Sequence, residues 1–371
     1  MRLTSSVSLL PLALVAGTVI PARPFSPPPD EVLGEVLGVG IHFTTSYAIA
    51  AARYERGFVE HLVRVSGSDE YIEAMARWAD ADNKRSCETK REKMQCATTR
   101  ASRRANKLAG QPATRDVGIL AAFLNEVKAE VETKLEVAAE SRGHSGAVHI
   151  TNILPVFPIL PALEEEDIQD VMDYAGFNWQ SVDGKGSHVF HETNAAYGGL
   201  NLGMCASWKD QQVCAHQEER YRSSPSDVLF LNLDAGSFSA ALQRMTATTA
   251  SNAVSASAID VTLGWESLPV HEIARAKFWA KVQELIVGVA VALERAPDEI
   301  VLMGEWAKDA EFQEVVRNTL WELFDLDVKG SMAGGRGEEG WLAPMRGAAE
   351  MAGRAEWWSR QVGTTEELLE L

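Results

Sequence analysis

Gly40-Ile41-His42-Phe43-Thr44-Thr45-Ser46-Tyr47 decides how this chain is read. Apolar residues lead into a cluster of small, hydroxylated ones. A buried strand that ends this way delivers backbone N–H groups and hydroxyls to a phosphate or a sugar. Two later segments have the same build: Asn232-Leu233-Asp234-Ala235-Gly236-Ser237-Phe238 and Ile300-Val301-Leu302-Met303-Gly304-Glu305. Each turn alone is what any tight strand-to-helix connection looks like. Three in order, separated by long helical patterns, point to an α/β fold.

Working outward, residues 33–53 read as a strand pair with the first turn inside it, and Phe58 to Val65 alternates as a further strand. Residues 69–110 are polar and helical in bias. Val117, Leu120, Leu124, Val127, Val131 and Leu135 recur at helical spacing and predict a long amphipathic helix. Ala147 to Leu154 reads as a buried strand ended by Pro155, and Glu164 to Tyr174 as a helix stopped at Gly176. A loop from residue 177 leads into Ala195-Ala196-Tyr197-Gly198. Val228 to Leu233 and Ile300 to Met303 read as strands, and 246–258 as a polar Thr/Ser-rich stretch. Helices are expected from His271 to Arg295 and over 309–324. A flexible Gly-rich loop over 330–340 precedes closing helices with Trp357 and Trp358.

The 371 residues suffice for two domains, each with its own core. A net charge of −17 argues against nucleic acid as a general partner. Lys84, Arg85, Lys90, Arg91, Lys93, Arg100, Arg103, Arg104 and Lys107 run against that trend, as a solvated helical face or as a docking face for something acidic. Arg2 precedes an apolar run from Leu9 to Ile20, and prolines follow through Pro29. This reads as a signal peptide over 1–22 and a Pro-rich linker over 23–32. No later stretch approaches a transmembrane helix, so no membrane span is expected. The chain would then enter the secretory pathway, to be secreted or held in the endoplasmic reticulum lumen, although Glu-Leu-Leu-Glu-Leu is not a retention signal. Cys87, Cys96, Cys205 and Cys214 allow three disulfide connectivities. The equal short spacings favour Cys87–Cys96 and Cys205–Cys214, and no Cys-x-x-Cys suggests a metal site.

The three turns together resemble the two phosphate motifs and the adenosine motif of the actin/Hsp70/sugar-kinase ATPase superfamily. Among its members the chain looks most like the Hsp70 ATPase domain, collinearly over about residues 38–352. Ala147-Val148-His149-Ile150-Thr151 is similar to the family strand "vvITVPA", and Ala175-Gly176-Phe177 to "AGL". Glu192-Thr193-Asn194-Ala195-Ala196-Tyr197-Gly198 resembles a shortened "EPTAAALAYG". Asp260-Val261-Thr262-Leu263-Gly264-Trp265-Glu266, Arg275-Ala276-Lys277-Phe278 and Arg346-Gly347-Ala348-Ala349 resemble "DTHLGGE", "TRARFE" and "AxGAA". The resemblance implies a two-lobed actin-like ATPase (ribonuclease H-like) fold with reduced peripheral subdomains. The N-terminal lobe would cover 33–198, the C-terminal lobe 199–358 and an acidic tail 359–371. ATP or ADP with Mg²⁺ would lie in the cleft between the lobes. Thr45, Ser46, Gly236 and Ser237 would hold phosphate, Gly304 would face the ribose, and Gly40, Thr44 and Glu305 would line the same cleft. Asp234 or Glu192 would organise the metal and the attacking water.

The departures from the family fall on that chemistry. His42 and Asn232 stand where the family has the aspartates of its two phosphate motifs, and neither brings an anionic oxygen to Mg²⁺. Asp234 replaces a glycine and puts a carboxylate where a phosphate would sit. Glu266 and Arg275 are only nine residues apart, which leaves no room for the family's adenine-clamping lobe. The expectation is therefore a divergent Hsp70-like pseudoenzyme, with weakened or lost ATP binding, that acts through a protein partner. An active ATP-hydrolysing chaperone-like protein and a secreted interaction protein with no nucleotide are the alternatives.

Overall fold

The computed structural model describes residues 35–141, 149–150, 152–179, 182, 188–325, 332–333 and 340–369. The expected leader over 1–22 and linker over 23–32 lie outside these residues. So do residues 147, 148 and 151 of the expected strand and most of the 330–340 loop.

The fold is mixed α/β with two five-stranded sheets. The first contains β1 (Val36–Phe43), β2 (Tyr47–Tyr54), β3 (Val59–Ser66), β4 (Asn152–Val156) and β5 (Asn178–Trp179), in the order β3-β2-β1-β4-β5. The second contains β6 (Ser226–Leu233), β7 (Phe238–Met245), β8 (Val254–Asp260), β9 (Glu299–Met303) and β10 (Met332–Ala333), in the order β8-β7-β6-β9-β10. Numbered within its own sheet, each order is third, second, first, fourth, fifth. The strand senses repeat too: the second strand is antiparallel to both the first and the third, and the fourth and fifth run parallel to the first.

The outer face of the first sheet carries α1 (Asp69–Ala79), α3 (Arg115–Ser141) and α4 (Glu165–Ala175). All six apolar residues predicted for α3 are buried in this core. Gly176 closes α4 in the left-handed conformation, φ +79°, which supplies the helix stop read from the sequence. The outer face of the second sheet carries α7 (Glu272–Ala290) and α8 (Ala310–Phe324). Between the sheets lie α5 (Glu192–Gly199) and α9 (Ala343–Leu369). The first sheet receives α9 at backbone distance. A Cβ on Gly40 would fall 2.1 Å from the Ala349 nitrogen, and one on Gly347 would fall 1.7 Å from the Ala195 carbonyl oxygen of α5. Glycine is used here for close approach.

Several expectations need correction. Pro155 does not end its strand but lies inside β4, opposite Ile41. Among the described residues that side of β4 pairs at Ile153 with Trp179 and next at Phe157 with His191, so Pro155 falls between the two pairings and its missing N–H breaks no described ladder bond. The 246–258 stretch contains the start of β8, and the 330–340 loop contains β10. Cys87 and Cys96 form a disulfide that ties the approach to α2 (Lys90–Leu108) to its second turn. Cys205 and Cys214 do not: both are free thiols. They are adjacent, and burial together with a hydrogen bond to Cys205 pushes the Cys214 thiol up to about 12. Sequence spacing identified which sulfurs meet but not their oxidation state.

The basic 84–107 stretch finds much of its acidic partner within the chain. Buried Arg103 on α2 bonds Asp167 at 2.5 Å and Asp170 at 2.6 Å on α4, and Lys107 reaches Asp170 at 2.5 Å. Arg85 also pairs with Asp167. Among the described residues no helix is long and apolar enough to cross a membrane.

Candidate functional site

The β1–β2 and β6–β7 hairpin turns meet, and they are built alike. In the first, the Thr44 N–H donates to the Tyr47 carbonyl at 2.8 Å; in the second, the Asp234 N–H donates to the Ser237 carbonyl at 3.0 Å. The Thr44 hydroxyl is consumed by its own turn. It donates to the Tyr47 carbonyl at 2.9 Å and accepts from the N–H groups of Ser46 and Tyr47 at 3.3 and 3.0 Å. Thr45 Oγ1 crosses to Ser237 Oγ at 2.9 Å. Gly236 faces Ser46 so closely that a Cβ there would lie 2.8 Å from the Ser46 hydroxyl.

Asp234 is 1% exposed. Its Oδ1 accepts the Tyr47 phenol at 2.8 Å and the Glu305 N–H at 3.4 Å. Burial pushes the Asp234 carboxyl up, and the Glu192 charge adds to this against His42. Burial, with Asp234 beside it, drives the Tyr47 phenol well above its ordinary range.

Deeper in, Glu192 opens helix α5 and joins both sheets. His42 Nε2 of β1 lies 2.7 Å from Glu192 Oε2, and Asn232 Nδ2 of β6 donates to both carboxylate oxygens at 3.1 Å. His42 and Asn232 hold equivalent places, each two residues before its turn, and all three side chains are buried. Among the described residues His42 Nδ1, Asn232 Oδ1, Asp234 Oδ2 and Ser46 Oγ are buried with no protein partner. Ordered water is the ordinary solution for such groups.

At the third motif Gly304 has φ +87°, and a Cβ would strike both Asn232 Oδ1 and the Leu233 carbonyl oxygen at 2.3 Å. Glycine is required there by the backbone itself. Glu305 turns across to β3 and pairs with Arg64 at 3.0 and 3.3 Å. The Arg64 guanidinium lies 4.1 Å over the Tyr47 ring. Trp306 stacks on Trp265 with centroids 4.1 Å apart and planes 9° from parallel.

The sequence-derived site residues thus separate into two groups. Thr44, Thr45, Ser46, Glu192, Asp234, Gly236, Ser237, Gly304 and Glu305 gather at the junction of the sheets. Gly40 does not: it lies in the middle of β1 against α9. Tyr47 and Arg64 were missed. Tyr47 stands directly after the hydroxyl cluster, where a closing phenol could have been suspected; nothing marks Arg64.

These side chains are a poor fit to Mg²⁺ with ATP. The places for anionic metal ligands hold an imidazole and an amide, both bonded to Glu192. The one turn carboxylate is biased toward its neutral form. Of the hydroxyls that would hold phosphate, Thr45 and Ser237 are bonded to each other, and Ser46 Oγ is buried under Gly236 of the opposite turn. Among the described residues no group of three His, Cys, Asp or Glu could hold a metal ion. No protein-family model matches this chain, and no curated protein sequence matches it either.

Proposed function

We propose that the chain is a divergent actin-like ATPase-fold protein, related to the Hsp70 ATPase domain and routed through the secretory pathway, whose cleft no longer takes Mg²⁺·ATP and which acts by binding a protein partner. The fold part is supported by the repeated strand order and by the placing of α5 and α9 between the sheets, the arrangement a duplicated ribonuclease H-like unit would have. The Cys87–Cys96 disulfide suits an oxidising compartment.

The functional part is carried by one observation: the two phosphate-type turns hydrogen-bond directly to each other through Thr45–Ser237 and Tyr47–Asp234. In a working cleft those turns grip the nucleotide from opposite sides. Here the chain's own groups satisfy one another, and Glu305–Arg64 and Trp306–Trp265 fill the adenosine end. Separating the turns for phosphate would leave the Thr45, Ser237, Tyr47 and Asp234 groups to be satisfied again, and Asp234 would confront the anion.

Thermal unfolding of the oxidised protein with millimolar ATP or ADP, with and without Mg²⁺, tests this. A ligand at a hundredfold excess over its dissociation constant adds about 2.7 kcal/mol to the folded state. The expected outcome is no Mg²⁺-dependent rise in the midpoint. A clear Mg²⁺-dependent rise would return the protein to the active ATPases.

A further inference from the structure

Away from the cleft, the turn after β2 and the segment before α6 (Gln211–Ser223) enclose a groove of about 420 Å³ lined by Arg53, Glu55, Arg56, Gly57, Trp208 and Lys209. Its cations run against a chain charge of −17. Arg53 is fixed at the groove's base: its Nε bonds Glu350 and its Nη1 the Tyr54 carbonyl, while its Nη2 bonds no protein atom among the described residues. Arg56 and Lys209 are exposed and pair with no carboxylate among the described residues. Trp208 is buried beside the groove, with the Lys209 ammonium 5.4 Å from its ring centroid. Arg53 and Arg354 lie over its ring at 4.8 and 5.5 Å, and Trp357 meets it edge-on at 5.2 Å. Glu55 is the one carboxylate on the lining.

We propose that this groove binds a sugar-sized organic phosphate or sulfate. Its volume falls in the range of small-molecule sites and exceeds what a bare oxyanion fills. The Arg56 guanidinium presents paired donors to an oxyanion, Arg53 adds its Nη2 from the base, and Lys209, its ammonium beside the Trp208 ring, adds a point charge. Trp208 is buried and cations cover its ring, so the lining is mainly polar and suits a hydroxylated body better than an apolar one. Glu55 accepts from a hydroxyl and penalises a ligand that is anionic throughout, so one charged group on a hydroxylated body fits better than a polyanion. The proposal rests on no part of the cleft reading.

Calorimetric titration of the whole oxidised protein at physiological ionic strength, where weak surface attraction is screened, is the test. The probes are glucose 6-phosphate, glucose 6-sulfate, inorganic phosphate and uncharged glucose. One or both sugar esters should bind, and their ratio says which ester is preferred; inorganic phosphate should bind more weakly and glucose not at all. Arg56→Ala and Lys209→Ala should each weaken ester binding roughly tenfold, the scale of one lost charge-assisted hydrogen bond, with unchanged unfolding midpoints. Binding of glucose as tightly as its esters, absence of binding by either ester, or ester binding untouched by both variants would overturn the proposal. Ester binding here needs no Mg²⁺ and weakens in Lys209→Ala. Any nucleotide signal that needs Mg²⁺ and survives that variant therefore belongs to the cleft.

Discussion

On the face of the first sheet that looks toward the second, β1 carries Gly38, Gly40 and His42; at the equivalent positions β6 carries Val228, Phe230 and Asn232. The strand order is the same, yet the two sheets seat their inner helices differently. On β1 the helix α9 comes down onto bare backbone, while on β6 a buried Phe230 packs against Ala196 and Tyr197 of α5. The turns differ in the same spirit. Thr44 folds its hydroxyl back into its own turn, whereas Asp234 at the matching place sends its carboxyl out to Tyr47 of the opposite turn. A repeated topology therefore fixes where groups stand, and the local side chain decides whether a position serves packing, a turn or a contact between sheets.

The largest effect should come from emptying the aromatic seat. Phe230→Ala removes a fully buried ring and should cost about 3–5 kcal/mol by urea unfolding. Gly40→Ala probes the opposite arrangement, adding one methyl where α9 allows none, and should cost about 1–3 kcal/mol. A neutral Gly40→Ala would mean that α9 is not seated on β1 as described, and the contrast between the sheets would collapse.

The turns come next. Thr44→Val keeps the shape but takes away the acceptor for the Ser46 and Tyr47 N–H groups, so about 1–3 kcal/mol of stability should be lost. Asp234→Asn keeps an acceptor for the Tyr47 phenol and removes a buried ionisable group, so a change of only about 1 kcal/mol is expected at neutral pH. Its signature is in the pH dependence. Burial raises the folded-state value above 3.8, so the native protein holds the proton more tightly than the unfolded chain. That contribution is complete below the unfolded value and is lost as pH climbs through the folded one. The stability of the parent relative to Asp234→Asn should therefore fall as pH rises above about 4. A flat difference would mean Asp234 is ionised and solvated, and that the turns do not close on each other.

Much of this architecture could be read from residue patterns because the signals were periodic. The apolar run of α3, the Gly176 stop and the strand–turn–strand around Thr44 are encoded locally. β7 and β8 were not legible. β8 is an edge strand in which exposed Ser255 and Ser257 alternate with half-buried Ala256 and Ala258, so it looks polar rather than amphipathic. The site was half legible. Small and hydroxylated residues marked the turns, but a bond such as Thr45–Ser237 spans most of the chain, and no local pattern shows whether two such turns face a ligand or each other. Gly40 was misread for a related reason. A glycine before a turn suggests room for phosphate, and only the packing of α9 reveals what the space is for.

The smallest expected effect lies at the exposed rim of the junction between the sheets, and it separates closure by buried bonds from closure by charge. Glu305 and Arg64 connect the sheets, but their side chains are 33% and 41% exposed. A solvated ion pair gives up little water and gains little, so even this two-bond geometry should be worth less than about 1 kcal/mol and should weaken with salt. Glu305→Gln should therefore change the urea midpoint by a few tenths of a kcal/mol at most, and less at high ionic strength. Thr45→Val, which cuts a buried bond between the same two sheets, should cost more and be indifferent to salt. If the order is reversed, the rim pair is the true latch, and ionic strength rather than buried hydrogen bonding would decide whether the two turns hold together.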